Sequence, residues 1–308
     1  MFPCDEASDA SSLGPMVQVR AQRSLSPAEH AQVMMFLEAA YAAGCPRLND
    51  HLSSDLTHGV RDGFRAAIAS DGDEVVGYAQ ASAANDGIII GAVSVHVDNT
   101  SILLHELLRV VPVGVAVTWW SEEACASIAD ALGLAPNRRL FRMGRSLPIA
   151  TTTDVALRPF RIGVDEHAWL VVNNAAFATH GEQGGWDLAT LQQREREPWF
   201  DADGFLLHDR AGRLAAFCWT KLHLGPVLRG EIYVIAVHPD FHGHGLGKAL
   251  TVAGLQHLHS VGAEAAMLYV DAANDAAVGL YRSLGFEIEH TDQSYHRPAQ
   301  RHSQGATP

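Results

Sequence analysis

Long apolar runs are missing from this chain. No stretch of its 308 residues approaches the roughly 18 consecutive apolar positions of a membrane span. The N-terminus carries Asp5, Glu6 and Asp9 with no basic stretch, unlike a secretory signal, so a cytoplasmic protein is expected. Cysteine is sparse: Cys4, Cys45, Cys125 and Cys218 stand far apart without Cys-x-x-Cys spacing, which suggests neither a zinc site nor a disulfide framework. Positive charge is in deficit as well. With 22 Lys and Arg against 35 Asp and Glu, the net charge of −13 argues against nucleic acid as the principal partner and suits a cationic or neutral small molecule. What is present is apolar material for sizeable cores, 47% of the chain, at a length that usually makes about two domains. The 17 histidines are dispersed. Their one tight group, His238, His242 and His244, falls in a glycine loop with another reading, so no metal is expected.

That loop carries the most information. A β-rich run from Glu231 to Val237 ends at Pro239; Gly243, Gly245 and Gly247 follow at alternate positions, and a helical stretch opens. Glycine lets backbone approach a ligand closely and tolerates positive φ. Successive N–H groups at a helix start, backed by the positive end of the helix dipole, make a pyrophosphate cradle. The glycine spacing does not fit Gly-x-Gly-x-x-Gly, and Gly247-Lys248 is followed by Ala249 rather than Ser or Thr, so neither a dinucleotide fold nor a P-loop is indicated.

A second motif lies downstream. The strand Ala266–Asp271 leads to Asn274, then to Ala276, Ala277, Leu280 and Leu284 at helical spacing around Tyr281, and then to Gly285-Phe286. Gly285 stands where a helix C-terminus favours a left-handed residue. Together the two motifs, in this order, resemble the acyl-CoA-binding signatures of the GNAT N-acyltransferase superfamily. His242 departs from that pattern, which usually has Gln or Arg there.

The chain also reads as two similar halves. Ala131-Leu132-Gly133-Leu134 echoes Ser283-Leu284-Gly285-Phe286. Glu74–Ala79 echoes Arg213–Trp219, each after a glycine turn, and Ile90–Val95 echoes Tyr233–Val237. Each half reads as helices, a hairpin, a central strand, a helix, a strand, a short helix and a final strand. The fold class expected is therefore α/β, in α+β layers: a tandem repeat of two GNAT domains, each a mixed central sheet flanked by helices. The expected division is a polar tail at 1–15, an N-terminal domain at 16–147, a linker at 148–154, a C-terminal catalytic domain at 155–297 and a tail at 298–308. After Val95 the first half has no glycine and carries Asp98 where the cradle would lie. This half is expected to have lost its acyl-CoA site and to wall the substrate cleft.

One family matches further. Val172–Trp186, Phe217–Lys221 and Gly230–Val234 resemble stretches of the mycothiol synthases, two-domain GNAT enzymes of actinobacteria. The resemblance is strong over 155–297 and weak over 16–147. It implies direct transfer of acetyl from acetyl-CoA to the cysteinyl amine of cysteinyl-glucosaminyl-inositol. The expected partners are that small-molecule amine and acetyl-CoA, with neither nucleic acid nor membrane, and the chain acting as a monomer.

An ammonium must lose a proton before it attacks a thioester, so a carboxylate must be within reach. Glu231 resembles the family's proposed base. A donor with a pKa near 10 can protonate or hydrogen-bond the departing thiolate, and Tyr281 resembles the usual GNAT acid. The thioester oxygen would be polarised by backbone N–H near Ile235, Ala236 and Val237. By resemblance, Glu182, Lys221, Glu231 and Tyr269 hold the acceptor. Asp50 either reaches the cleft from the first half or caps a helix. Acetyl-CoA would rest on His242, Gly243, His244, Gly245, Leu246, Gly247 and Lys248, and on Asn274, Asp275, Ala276, Ala277, Val278 and Gly279. Two other readings stay open: a GNAT acting on an aminosugar, a polyamine or a protein N-terminus, and a non-catalytic acyl-CoA-binding module.

Overall fold

A computed structural model of the protein describes residues 17–58, 63–84, 87–178, 183–225 and 227–300. The expected tail at 1–15 lies outside these residues, as does 301–308. Residues 298–300 follow the last strand without regular structure, and Gln300 N–H donates to Gly114 O at 3.0 Å.

The first half runs β1 (Gln18–Gln22), α1 (Pro27–Ala42), α2 (Asp50–His58), β2 (Arg65–Asp71), β3 (Glu74–Ala84), β4 (Gly87–Ser94), α3 (Val97–Val110), β5 (Val117–Ser121), α4 (Ala126–Ala131) and β6 (Ala135–Ser146). The second runs β7 (Arg158–Pro159), α5 (Glu166–Ala176), α6 (Leu188–Glu195), β8 (Phe205–Arg210), β9 (Arg213–His223), β10 (Arg229–Val237), α7 (Leu246–Ser260), β11 (Ala265–Asp271), α8 (Asp275–Ser283) and β12 (Glu287–Arg297). The duplication read from the sequence is thus present element by element. Each half also opens on an edge strand that the sequence reading did not include. β7 is only two residues long; β1 alternates, with Val17, Val19 and Ala21 turned to the core, but its small and polar residues make a short, weak signal.

Local chemistry sets the helix ends. Ser26 caps α1 in a reciprocal box with Glu29, and Pro27 occupies the first turn, where a missing N–H costs no helical bond. Val33, Phe36, Leu37 and Ala40 then line one buried face. The two short helices end alike: Gly133 after α4 has φ 68° and Gly285 after α8 has φ 82°. A left-handed residue there lets the chain leave the helix and enter the final strand of each half.

The twelve strands among the described residues form one sheet in the order β1-β2-β3-β4-β5-β12-β6-β11-β10-β9-β8-β7. The two halves mirror each other about its centre, and there the terminal strands change places. β12, the last strand of the second half, pairs with β5 of the first; β6, the last of the first, pairs with β11 of the second. The exchanged strands also pair with each other, antiparallel. Polar contacts reinforce the junction. Arg138 on β6 donates to Asp271 on β11 at 2.7 Å, and Arg229 on β10 bonds Glu289 on β12 across Gly144. A Cβ at residue 144 would displace the Glu289 carboxylate and the Arg229 guanidinium from this bond.

Helices cover both faces of each half. In the second, Leu250, Leu255 and Leu258 of α7 and Val278 and Tyr281 of α8 pack with Cys218, Ile232, Ala266, Leu268 and Val270 on one face. On the other, Trp169 of α5 and Leu191 of α6 pack with Phe205, Phe217, Trp219 and Val234. The first half repeats this, with α3 and α4 on one side and α1 and α2 on the other. Among the described residues, no helix is long and apolar enough to cross a membrane.

Gly254 lets α7 lie close to the sheet: a Cβ there would stand 2.6 Å from both Cys218 Sγ and Ile232 Cδ1. Gly254→Val should therefore destabilise the protein by about 1–3 kcal/mol, because overpacking outweighs the helix-propensity gain over glycine. A urea melt against the parent checks this.

Candidate active site

The site begins with strand alternation. Successive side chains of a strand point to opposite faces, so Cys218 faces α7 while Trp219, Lys221 and His223 face α5 and α6. Glu231 on β10 stands directly across from Lys221 and shares that face. Beyond it the register with β9 shifts between Ile232 and Val234, a bulge at Tyr233. On its other side β10 pairs in parallel with β11 only from Arg229/Ala265 to Ile232/Leu268. From Tyr233 to Val237, β10 keeps its ladder with β9 while its pairing with β11 has ended. The run contains Ile235, Ala236 and Val237, and it carries backbone groups on the side facing β11.

Four of the expected acceptor-side residues gather at this opening. Glu231 is buried and takes a hydrogen bond from His223 Nε2 to Oε2 at 2.6 Å. Lys221, only 9% exposed, donates to Asp50 Oδ2 at 2.9 Å. Its ammonium also lies 4.6 Å from the Trp199 ring centre and 5.1 Å from that of Tyr233, within cation–π range. Asp50 comes from α2, so the first half does reach across. The cap of that helix is Asn49, whose Oδ1 accepts from Leu52 N–H at 2.9 Å, which separates the two roles left open for Asp50. A second bridge between the halves, Gln193 Nε2 to Ser54 Oγ at 2.8 Å, runs beside it. Tyr269 on β11 is exposed and stands across from Arg142 on β6. Partial burial and the negative charge of Glu231 raise its phenol above the ordinary tyrosine range, against the pull of Arg142. Glu182 lies outside the described residues.

Tyr281 sits on the opposite face, buried in the α7–α8 core with its ring edge-on to Phe286 at 5.8 Å. Burial, helped by the neighbouring Cys218 thiol, pushes its hydroxyl up to about 12. It therefore holds its proton throughout the neutral range, where it can supply a proton but cannot serve as a phenolate base. The gap between β10 and β11 is where groups from the two faces of the sheet can meet.

The cradle occupies residues 238–245, between β10 and α7. Gly243 and Gly245 adopt φ of 78° and 72°, and a Cβ on either would meet nothing within 4 Å, so their backbone is open to a ligand. Gly245 caps α7 with no side-chain hydrogen bond. The first-turn N–H groups at Leu246, Gly247 and Lys248 lack intrahelical partners, as at any helix start. These features fit a pyrophosphate, with the exposed Lys248 adding positive charge. The histidines serve the loop itself: His242 Nε2 donates to Val237 O at 3.0 Å, and His244 Nδ1 to His242 O at 2.9 Å. His238 Nδ1 accepts from Asp240 N–H at 3.2 Å. Asn274 caps α8, accepting from Ala277 N–H at 3.1 Å. Of the α8 residues expected at the ligand, Asp275, Ala276, Ala277 and Gly279 are exposed or half-buried, whereas Val278 points into the core.

The first half shares the short parallel ladder, since β4 pairs with β5 only from Ile88 to Ile90, but it lacks the bulge and the cradle. β4 runs beside β3 without a bulge, and its register places the buried Ile89 across from Ser82, where the second half has Glu231 across from Lys221. Only Val95 and His96 separate β4 from α3, so no loop replaces the cradle.

Sequence reasoning missed His223, Trp199 and Tyr233. His223 was legible as the next same-face residue after Lys221 on an alternating strand. Trp199 lies in an irregular segment, where no periodicity marks a contact. Tyr233 reads as an ordinary strand residue until the bulge is seen.

The scan against family models matches residues 173–286 to the acetyltransferase (GNAT) family. A mycothiol acetyltransferase of Thermobispora bispora is 40% identical over 297 residues, covering 91% of this chain and 99% of that protein. One from Streptomyces avermitilis is 38% identical over 88% of this chain and 92% of its own. Among solved structures, a GCN5-related N-acetyltransferase from Sphaerobacter thermophilus superposes with a TM-score of 0.63 at 18% identity, covering 91% and 95% of the two chains. A tandem GNAT protein from the clavulanic acid biosynthesis pathway gives 0.63 at 14% identity, covering 94% and 100%. At these identities the structural matches speak for the tandem GNAT fold alone.

The raised phenol of Tyr281 has a measurable consequence. Its folded pKa lies above the ordinary value of 10. The unfolded chain therefore releases this proton first, and stability present below pH 10 is lost as pH rises towards 12. Tyr281→Phe should lose less stability than the parent across that window in denaturant melts. Ultraviolet titration should show one fewer late-ionising tyrosine.

Proposed function

The chain belongs to the mycothiol acetyltransferase family, and from that premise we propose that it acetylates the cysteinyl amine of cysteinyl-glucosaminyl-inositol by direct transfer from acetyl-CoA. The observation that carries the reading is the buried Glu231 at the mouth of the β10–β11 gap, with the glycine cradle at the far end of the same strand. Acetyl-CoA supplies the activated acyl group. The cradle backbone from Gly243 to Lys248 holds its pyrophosphate, α8 flanks it, and N–H groups of β10 near Ile235 to Val237 polarise the thioester oxygen. Glu231 takes the proton of the acceptor ammonium, and Tyr281 donates to the departing sulfur.

The acceptor lies on the α2–α5–α6 side. Lys221 and Asp50, locked to each other, present a donor and an acceptor to hydroxyl groups of the sugar and inositol; Tyr269 and Glu182 complete that surface. The first half acts as the wall that carries Asp50 and takes no part in the chemistry, and one chain with one competent site works in the cytoplasm.

Incubation with acetyl-CoA and cysteinyl-glucosaminyl-inositol should release CoA. Failure of this amine while an aminosugar or polyamine is acetylated would replace the acceptor and keep the chemistry. Glu231→Gln and Tyr281→Phe should each lower kcat by about 10²–10⁴-fold, with little change in the KM for acetyl-CoA. Asp50→Ala should instead raise the acceptor KM by about tenfold, the scale of a hydrogen bond to a charged group, and leave kcat within a few-fold.

A further inference from the structure

Acetylation of an ammonium by a thioester yields an amide, a thiol and one proton, and that proton must reach solvent in every turnover. Glu231 is badly placed to release it alone: its side chain is 8% exposed, beneath α5 and α6. His223 touches it, with Nε2 at 2.6 Å from Oε2, and is 36% exposed. The pair joins a dry carboxylate to water through one ring. The arrangement comes directly from the strands. Glu231 is in register with Lys221, and His223 is two residues further along β9 on the same face, the diagonal position of an antiparallel ladder. Lys221 cannot serve this purpose, since it is 9% exposed and is held by Asp50, Trp199 and Tyr233.

We propose that His223 is the positioning residue of Glu231 and the outlet for the proton Glu231 receives. The inference rests on Glu231 being the base. While Glu231 is charged, the Nε2–H of His223 donates to Oε2 and fixes the carboxylate. Once Glu231 has taken the ammonium proton, water moves the ring hydrogen of His223 from Nε2 to Nδ1, and the freed Nε2 accepts the proton of Glu231. Glu231 returns to carboxylate and His223 becomes imidazolium. Loss of the Nδ1 proton to water leaves a neutral ring whose Nε2–H again donates to Oε2, which restores the starting state with one proton released. Two ring nitrogens, one inward and one outward, are the chemical requirement, and histidine alone among side chains meets it near neutral pH.

The test compares His223→Ala, His223→Gln and Glu231→Gln at saturating acetyl-CoA and acceptor. Thermal melts serve as the control for folding. Removing the outlet should lower kcat by at least about tenfold in His223→Ala, with the KM for acetyl-CoA unchanged, and added imidazole should restore it in a concentration-dependent way. His223→Gln keeps an N–H for Oε2 but cannot pass a proton, so it should stay slow and respond less to imidazole. Parental kcat in His223→Gln overturns the outlet, as does a folded His223→Ala that is fast or that imidazole does not rescue. Should alanine unfold the chain, His223→Gln decides alone. If Glu231→Gln itself turns over at the parental rate, it is the base assignment that falls. A dead Glu231→Gln beside a fast His223 variant removes the outlet only.

Discussion

Hydrogen bonding between β10 and β11 lasts from Arg229 to Ile232 and then ends, and the candidate site depends on that ending. A parallel pair that continued would satisfy its backbone groups and close the sheet. Instead, the bulge at Tyr233 re-aims β10, its ladder with β9 continues to Val237, and the side towards β11 is open. Three consequences share this one cause. The backbone near Ile235 to Val237 has groups to offer a ligand. The two faces of the sheet communicate through an opening between β10 and β11. The strand is also delivered to the cradle on a line that passes through that space. The side chains would have little to act on if the pairing ran four residues further.

The division of labour between the halves has an equally local origin. Without a bulge, β4 keeps a straight register, and its alternation sends Ile89 to the α1–α2 core, where the second half sends Glu231 towards the acceptor side. Leu48 and Leu52 pack over Gly91, so that α2 closes the corresponding surface of the first half with apolar side chains. The same helix turns Asp50 and Ser54 towards its neighbour, where Lys221 and Gln193 meet them. One helix thus seals one potential cleft and furnishes the other.

Much of this was legible in the residues. The glycine loop, the Asn274–Phe286 segment and the repeat of the strand and turn patterns identify the tandem GNAT fold because they are local: each depends on neighbours a few positions apart. The pairing of β12 with β5 and of β6 with β11 was not legible, since two strands of similar character can exchange places without altering any periodicity. The site divides in the same way. Lys221 and Glu231 were found from motif resemblance, but the link from Lys221 to Asp50 joins residues far apart in the chain, and the Glu231–His223 contact needs the register of a hairpin. Asn49 and Asp50 compete for the same cap in the sequence, and only tertiary position tells them apart.

The exchanged final strands describe a swapped dimer folded within a single polypeptide. Two separate copies of one half could build the same continuous sheet by trading their last strands, but both copies would then carry identical surfaces, because one gene would encode them. Covalent fusion removes that symmetry. Each half still receives the strand it needs, and tethering keeps its partner at a high local concentration. The two sequences are nevertheless free to diverge, as the glycine loop of one half and the apolar cover over Gly91 in the other show, while each still borrows its last strand from the other.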